Sequence, residues 1–482
     1  MRTLLFFPKC IKGTFLKNCR PYFSIAALFA LLLIPKSAFA TAGDDTENPK
    51  NNSDIVNAHS GIPSYARQTG MACAVCHTAY PQLTAFGRDF KLNGYVLTTA
   101  KTIDDEVTDK ETKAIKDYVK ILGISPLSAM FQTGFTNVNE AIPETQNNNV
   151  EFPQQLSLFY GGQITPKMGS FIQLTLDNGS GTVGLDNTDI RYANQGKGKM
   201  PLTYGVTLNN NPTVSDLWNS TPAWGYPYTS SGVAPTPGAG TIIENLGGTV
   251  AGLGAYTMIN NLVYLELAGY RTAQLGAALP PDSSVNGAIN GTSPYWRAAI
   301  QKQFGKSYIE VGTFGIATKF YPVGVSGATD NYTDVAFDLQ FERQFKKGQF
   351  TLHSSYINES QKLNASLDAG NSQNLDNTLN KFNIDGSFFL KPKANFTFGY
   401  FSTSGSTDTS LYAPEAVFGS NLGIPDSNGI RTQVDYLPWE NIQLSIQYFA
   451  YNKFNGASNN YDGSGRNASD NNMLYVQLWF AF

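Results

Sequence analysis

Charge, cysteine, histidine and long apolar runs are all scarce in this 482-residue chain. Charged residues make up 15% of it, against about 25% in ordinary soluble proteins. After residue 40 no apolar run approaches the ~20 residues of a transmembrane helix, which excludes a helical membrane protein. Few charges beside many aromatics exclude a disordered chain. Four cysteines, two of them at Cys10 and Cys19, cannot supply a disulfide framework. What is abundant is 31 Phe, 25 Tyr and 45 Gly, with much Asn, Ser and Thr. That composition fits an all-β protein, a membrane barrel being one form of it.

The N-terminus reads as a signal peptide over residues 1–40. Arg2, Lys9, Lys12, Lys17 and Arg20 precede an apolar stretch from Ser24 to Ile34, and Ala38-Phe39-Ala40 closes it. The stretch is too short for a membrane anchor. Cleavage after Ala40 takes six of the 34 basic residues, leaving 28 against 37 acidic ones, a net charge of −9. An acidic mature chain does not suit nucleic acid. Cleavage also leaves Cys73 and Cys76 as the only cysteines.

Those two stand in Cys73-Ala74-Val75-Cys76-His77, the attachment pattern of c-type haem. Two thiols at this spacing meet the two vinyl groups of one porphyrin, and the next residue sets an imidazole under the iron. The sequence predicts one haem c, covalently bound by Cys73 and Cys76, with His77 as proximal iron ligand. A thioredoxin-like redox pair would want a βαβ context, which is absent. A structural zinc site needs four ligands, and no second Cys/His pair exists. No His or Met lies between Thr78 and Ala129, so the distal ligand is sought among Met130, His59, His353 and Met71, with an open position as the alternative. Met71 is too close to Cys73 to reach around the ring easily.

From Tyr65 to Tyr95 the chain reads YARQTGMACAVCHTAYPQLTAFGRDFKLNGY. With Ala66-Arg67-Gln68-Thr69-Gly70 before the haem motif and Phe86-Gly87-Arg88 and Phe90-Lys91-Leu92-Asn93-Gly94-Tyr95 after it, this stretch resembles the haem segment of the fused outer-membrane cytochrome–porins, the iron oxidases of iron-oxidising bacteria. The resemblance covers about 30 residues. It implies a monohaem segment followed by a barrel of about 16 strands, extracellular Fe(II) as electron donor, and a periplasmic carrier (a cytochrome c or blue copper protein) as acceptor.

The remaining sequence is read in two parts. Residues 41–125 form the haem-binding segment and connector, mostly helical, with a short helix over Leu83–Lys91 and an amphipathic one over Thr102–Lys120. Arg67, Arg88 and Lys91 flank the motif as candidate propionate contacts, solvated surface charge being the equal alternative. From about Pro126 to Phe482 the pattern has period two. Leu474, Val476, Leu478 and Phe480 alternate with Tyr475, Gln477 and Trp479. Sixteen such segments, joined by alternating short and long links, predict an outer-membrane β-barrel, since charges facing a soluble core would be too costly. Short links then face the periplasm and long ones, such as 211–245, the outside. Sixteen strands leave an aqueous lumen, which the haem segment is expected to plug. Met130 reads inward, and so does His353. Inward carboxylates at Asp177, Glu266, Glu310, Asp338, Glu342, Asp385 and Asp435 read as lumen charges, or as guides for Fe(II).

The functional expectation is a protein of the Gram-negative outer membrane, in contact with lipid, that oxidises Fe(II) near its outer face. Two alternatives share the architecture: an electron conduit for another donor or acceptor, and a solute porin with a redox plug.

Overall fold

In a computed structural model, residues 63–97, 126–176, 181–273, 285, 287–322, 324–390 and 393–482 are described. The expected signal peptide, His59, the connector helix and Asp177 lie outside them.

Sixteen antiparallel strands follow one another around a closed barrel. They are β1 (Leu127–Val138), β2 (Asn149–Thr165), β3 (Met168–Leu176), β4 (Val183–Gln195), β5 (Leu202–Asn209), β6 (Val250–Ile259), β7 (Val263–Thr272), β8 (Ser293–Phe304), β9 (Ser307–Tyr321), β10 (Asp330–Phe345), β11 (Gly348–Lys362), β12 (Asp376–Leu390), β13 (Ala394–Gly405), β14 (Ser427–Trp439), β15 (Ile442–Lys453) and β16 (Met473–Ala481). A two-residue strand, Ala288–Ile289, adds to the rim against β9. Closure is made by β1 and β16, in register from Met130 opposite Ala481 to Val138 opposite Met473. A closed ring leaves no unpaired strand edge, the condition for β-structure in a membrane.

The alternation sorts chemistry by face. Leu253, Leu267, Ile300, Phe337 and Phe398 point outward and are exposed. Glu266, Arg297, Glu310 and Asp338 point inward and are buried. This inversion of a soluble core, with apolar side chains outside and charges inside, is that of an outer-membrane barrel. The hydrophobic period of two is therefore set by lipid on one side and the lumen contents on the other.

Three short helices sit inside the barrel: α1 (Ser64–Thr69), α2 (Cys73–Cys76) and α3 (Ala85–Leu92). The sequence places the third at Leu83; it starts at Ala85 because the Thr84 hydroxyl caps it, accepting from the Gly87 N–H at 3.2 Å. It ends where expected, at Asn93, with Gly94 at φ +74°. The long link between β5 and β6 departs from expectation. It is read as an outer loop, but it folds inward and buries Val214, Leu217 and Trp218. Its one carboxylate in that stretch, Asp216, meets Arg297 of β8 at 3.0 Å.

Candidate functional site

The short helical segment is bound to the wall on all sides. Tyr65 Oη donates to the Ser170 carbonyl at 2.5 Å and Gln68 Nε2 to that of Gly161 at 2.8 Å. Tyr95 Oη donates to Asp189 on β4 at 2.7 Å. The Tyr256 hydroxyl of β6 donates to the Leu92 carbonyl at 2.9 Å. Gln82 donates to Ser387 on β12 at 2.9 Å and to Tyr228 of the inward loop at 2.8 Å. Leu83 N–H donates to Asn219 of the same loop at 3.1 Å. These bonds seat the segment against the inner wall.

Cys73 and Cys76 open and close the single turn of α2, and neither is in a disulfide. Residues three apart on a helix share a face, so both thiols present one way. The turn is held by α3: Thr84 donates through its N–H to the Cys76 carbonyl at 2.9 Å and through its hydroxyl to the Val75 carbonyl at 2.5 Å. Gly87 lies so close that a Cβ there would overlap the Cys76 carbonyl oxygen. Burial pushes the Cys76 thiol up to about 11, with Cys73 adding to it, and burial likewise raises Cys73. A redox C-x-x-C pair needs the opposite, a depressed thiol.

His77 follows in extended conformation and bridges to Leu83. Burial drags its pKa down to about 4, partly offset by the backbone of Pro81 and Gln82. The imidazole is therefore neutral at ordinary pH, the form that binds a metal. Its Nδ1 is buried without a hydrogen-bond partner. Paired thiols on one face followed by a neutral, under-satisfied imidazole fit a covalent haem c, with Cys73 and Cys76 as thioether carriers and His77 as iron ligand.

The cysteine turn sits at one end of the barrel. Cys73 N–H donates to Glu440 at 2.9 Å, and Tyr80 Oη donates to the Glu440 carbonyl. Glu440 belongs to the short turn between β14 and β15. The His77 ring lies 5.3 Å from Tyr80, which lies 5.8 Å from Trp479 of β16. Trp479 is opposite Gln132 of β1, and Met130 is the next inward residue on that strand. Met130 is buried, and its Sδ accepts from Gln132 at 3.4 Å. His353, on β11, instead pairs with Asp385 at 3.2 Å.

The flanking cations have other partners than those expected of them. Arg88 grips Glu342 of β10 at 2.5 and 3.3 Å and stacks 4.4 Å from the Tyr308 ring. Lys91 donates to the carbonyls of Val214 and Asp216 at 2.7 and 2.6 Å and lies over Trp224. Burial, reinforced by Arg191, draws its pKa down to about 7. Arg67 donates to the Leu127 carbonyl where the barrel begins. All three serve as anchors of the plug.

The inward carboxylates are engaged too. Arg297 binds Asp338 at 2.8 Å, Asp216 at 3.0 Å and Glu310 at 3.6 Å. Glu266 accepts from Tyr264 and Ser215. Asp435 accepts from Asn395, Gln433 and Ser445. With Glu342 they join plug, loop and wall, which is the lumen-charge reading of the two the sequence offers. Among the described residues no group of three or more His, Cys, Asp or Glu can hold a metal ion. The inward loop, Arg297 and Glu440 were not singled out in the sequence; the only cue was that Asp216 is the sole charge from 211 to 243.

No protein-family model matches the chain, and no curated protein matches it. Among solved structures it is similar to OmpT, an outer membrane protein of Vibrio cholerae, at 10% identity and TM-score 0.41, over 74% of this chain and 96% of that one. It is also similar to the outer membrane channel DcaP of Acinetobacter baumannii, at 11% identity and TM-score 0.42, over 74% and 96%. A third is an anion-selective porin from Comamonas acidovorans, at 11% identity and TM-score 0.40, over 74% and 98%.

Proposed function

We propose that this chain is an outer-membrane cytochrome c–barrel fusion that takes an electron from extracellular Fe(II) and delivers it to a periplasmic carrier, a cytochrome c or blue copper protein. The observation that carries the reading is the cysteine turn with its neutral histidine, locked into the lumen of a closed barrel. A haem c bound there supplies a one-electron centre. The chain's part is to hold that centre inside an insulating wall and to keep His77 unprotonated.

The position of the turn refines the reading. Short links face the periplasm in bacterial barrels, and Cys73 is bonded to one of them. On this reading the centre lies at the periplasmic mouth, whereas the sequence suggested the outer face. Val75, between the cysteines, is exposed there. Delivery to a periplasmic carrier then needs no long step, and the donor side must be reached through the lumen or its loops.

The test is anaerobic mixing of oxidised, detergent-purified protein with Fe(II), following the haem c absorption bands at acidic and neutral pH. Fast reduction is the expected result. No reduction by Fe(II), with normal reduction by dithionite, would move the assignment to a conduit for another donor or acceptor.

A further inference from the structure

We propose that the lumen carries a binding site for a small oxyanion, built by Arg431 and Tyr226. A cavity of about 290 Å³ lies between the inward loop and the wall strands β11–β15. Two of its lining side chains have buried polar atoms without a hydrogen-bond partner: Arg431 Nε and Tyr226 Oη. Tyr226 is only 7% exposed. Arg431 Nε can only donate and the Tyr226 hydroxyl can donate as well as accept, so an acceptor is the partner that would serve both.

The guanidinium is held in place for this. Its carbon lies 4.1 Å from the Phe401 ring centroid and 5.5 Å from that of Phe449. Nη1 makes long contacts, 3.2 Å to the Tyr226 carbonyl and 3.4 Å to Asn383. Two rings and two weak acceptors fix the plane while leaving Nε unmet. A buried charge is costly unless it is paired. Of the other ionisable groups on the cavity, Lys381 binds Glu244 at 2.8 Å, and Asp385, which also faces Arg431 across the cavity beyond ion-pair distance, contacts His353 Nδ1 at 3.2 Å. Among the described residues Arg431 has no carboxylate within ion-pair distance. A sulfate- or carboxylate-sized anion would meet a planar donor fork and one phenol, the arrangement that arginine is used for.

The site adjoins the plug. Tyr226 packs on Tyr228 at 5.8 Å, and Tyr228 accepts from Gln82. An anion there lies one side-chain pair from the cysteine segment. The inference needs no redox partner and so stands apart from the proposed function.

The test titrates full-length, detergent-purified protein with sodium sulfate, and separately with acetate, by calorimetry at constant ionic strength set with chloride. Wild type is expected to show saturable one-to-one binding of at least one of the two probes. R431Q is expected to weaken it at least about tenfold, and Y226F, which removes one neutral donor, by about three- to tenfold. Stronger binding of sulfate would assign a tetrahedral oxyanion, and of acetate a carboxylate. Absence of saturable binding of either probe in wild type, or equal binding in wild type and in folded Y226F and R431Q, would overturn the proposal and leave a cavity filled with water.

Discussion

At the residue scale the structure turns on close approaches that only one side chain allows. Gly87 is such a position, because a Cβ would occupy the space of the Cys76 carbonyl. Gly87→Ala should push α3 off the cysteine turn. The expected outcome is a barrel that still shows heat-modifiable migration but carries much less covalent haem in a pyridine haemochrome assay. Full haem content would show that the turn does not depend on α3. Met130 is a second position where one side chain matters, for its sulfur rather than its size. It faces inward on the strand beside Trp479, and a thioether ligand raises a haem potential. Met130→Ala should shift the absorption spectrum and lower the midpoint potential; an unchanged spectrum removes Met130 as distal ligand.

At the element scale, the plug is secured by charges whose partners sit on the wall. Glu342→Gln would leave Arg88 buried without its carboxylate, a change that typically costs ~3–5 kcal/mol. The expected result is a plug cut by protease at lower urea than the wild-type plug, with the barrel itself still resistant. Equal protection would mean that the other anchors suffice. The outer loops use a carboxylate differently. Asp408 accepts from Ser372 Oγ and from the N–H groups of Gln373, Asn374, Ser410 and Leu411, and so joins two loops. Burial alone would raise its pKa, but these donors outweigh it and hold the carboxyl well below the usual range. A depressed carboxylate contributes stability above its unfolded pKa, about 3.9, and loses it as pH falls through the lower folded value. Amide protection factors at 373–374 and 410–411 should therefore hold from pH 7 to about pH 4 and fall only below that. Loss of protection already at pH 5 would refute the clamp.

The elements differ in how far sequence exposes them. Strands announce themselves because lipid imposes a period of two: sixteen were expected and sixteen form the barrel, the alternation from Leu474 to Phe480 lying within β16 at Met473–Ala481. Cys73, Cys76 and His77 stand out in the sequence because haem attachment would require that spacing, and they meet at the single turn of α2. The inward loop does not, because a long link with few charges reads alike whether it faces water or a lumen. Arg88 and Lys91 were visible as charges, but their partners lie 254 residues away at Glu342 and 123 away at Val214. Pairing across a barrel leaves no local trace.

At the scale of the whole molecule the lumen is filled in layers. The plug contacts inward positions near the short-turn end, and the loop between β5 and β6 lies against it through Lys91, Leu83 and Gln82. An open 16-stranded barrel passes water and ions; two stacked layers, each bonded to the wall, should not. Wild-type protein in planar bilayers is therefore expected to conduct far below an open porin of the same strand number. Removing residues 63–97 alone should restore only part of that conductance, since the loop keeps its own bond to Arg297. Removing the plug and replacing Asp216 by Asn should restore more, because the loop then loses its charge partner while Arg297 keeps Asp338 and Glu310. This order of effects follows only if plug and loop close the lumen in series. Porin-like conductance in the wild type would instead favour a solute channel with a redox plug, and would separate the barrel's transport from any electron the cysteine turn carries.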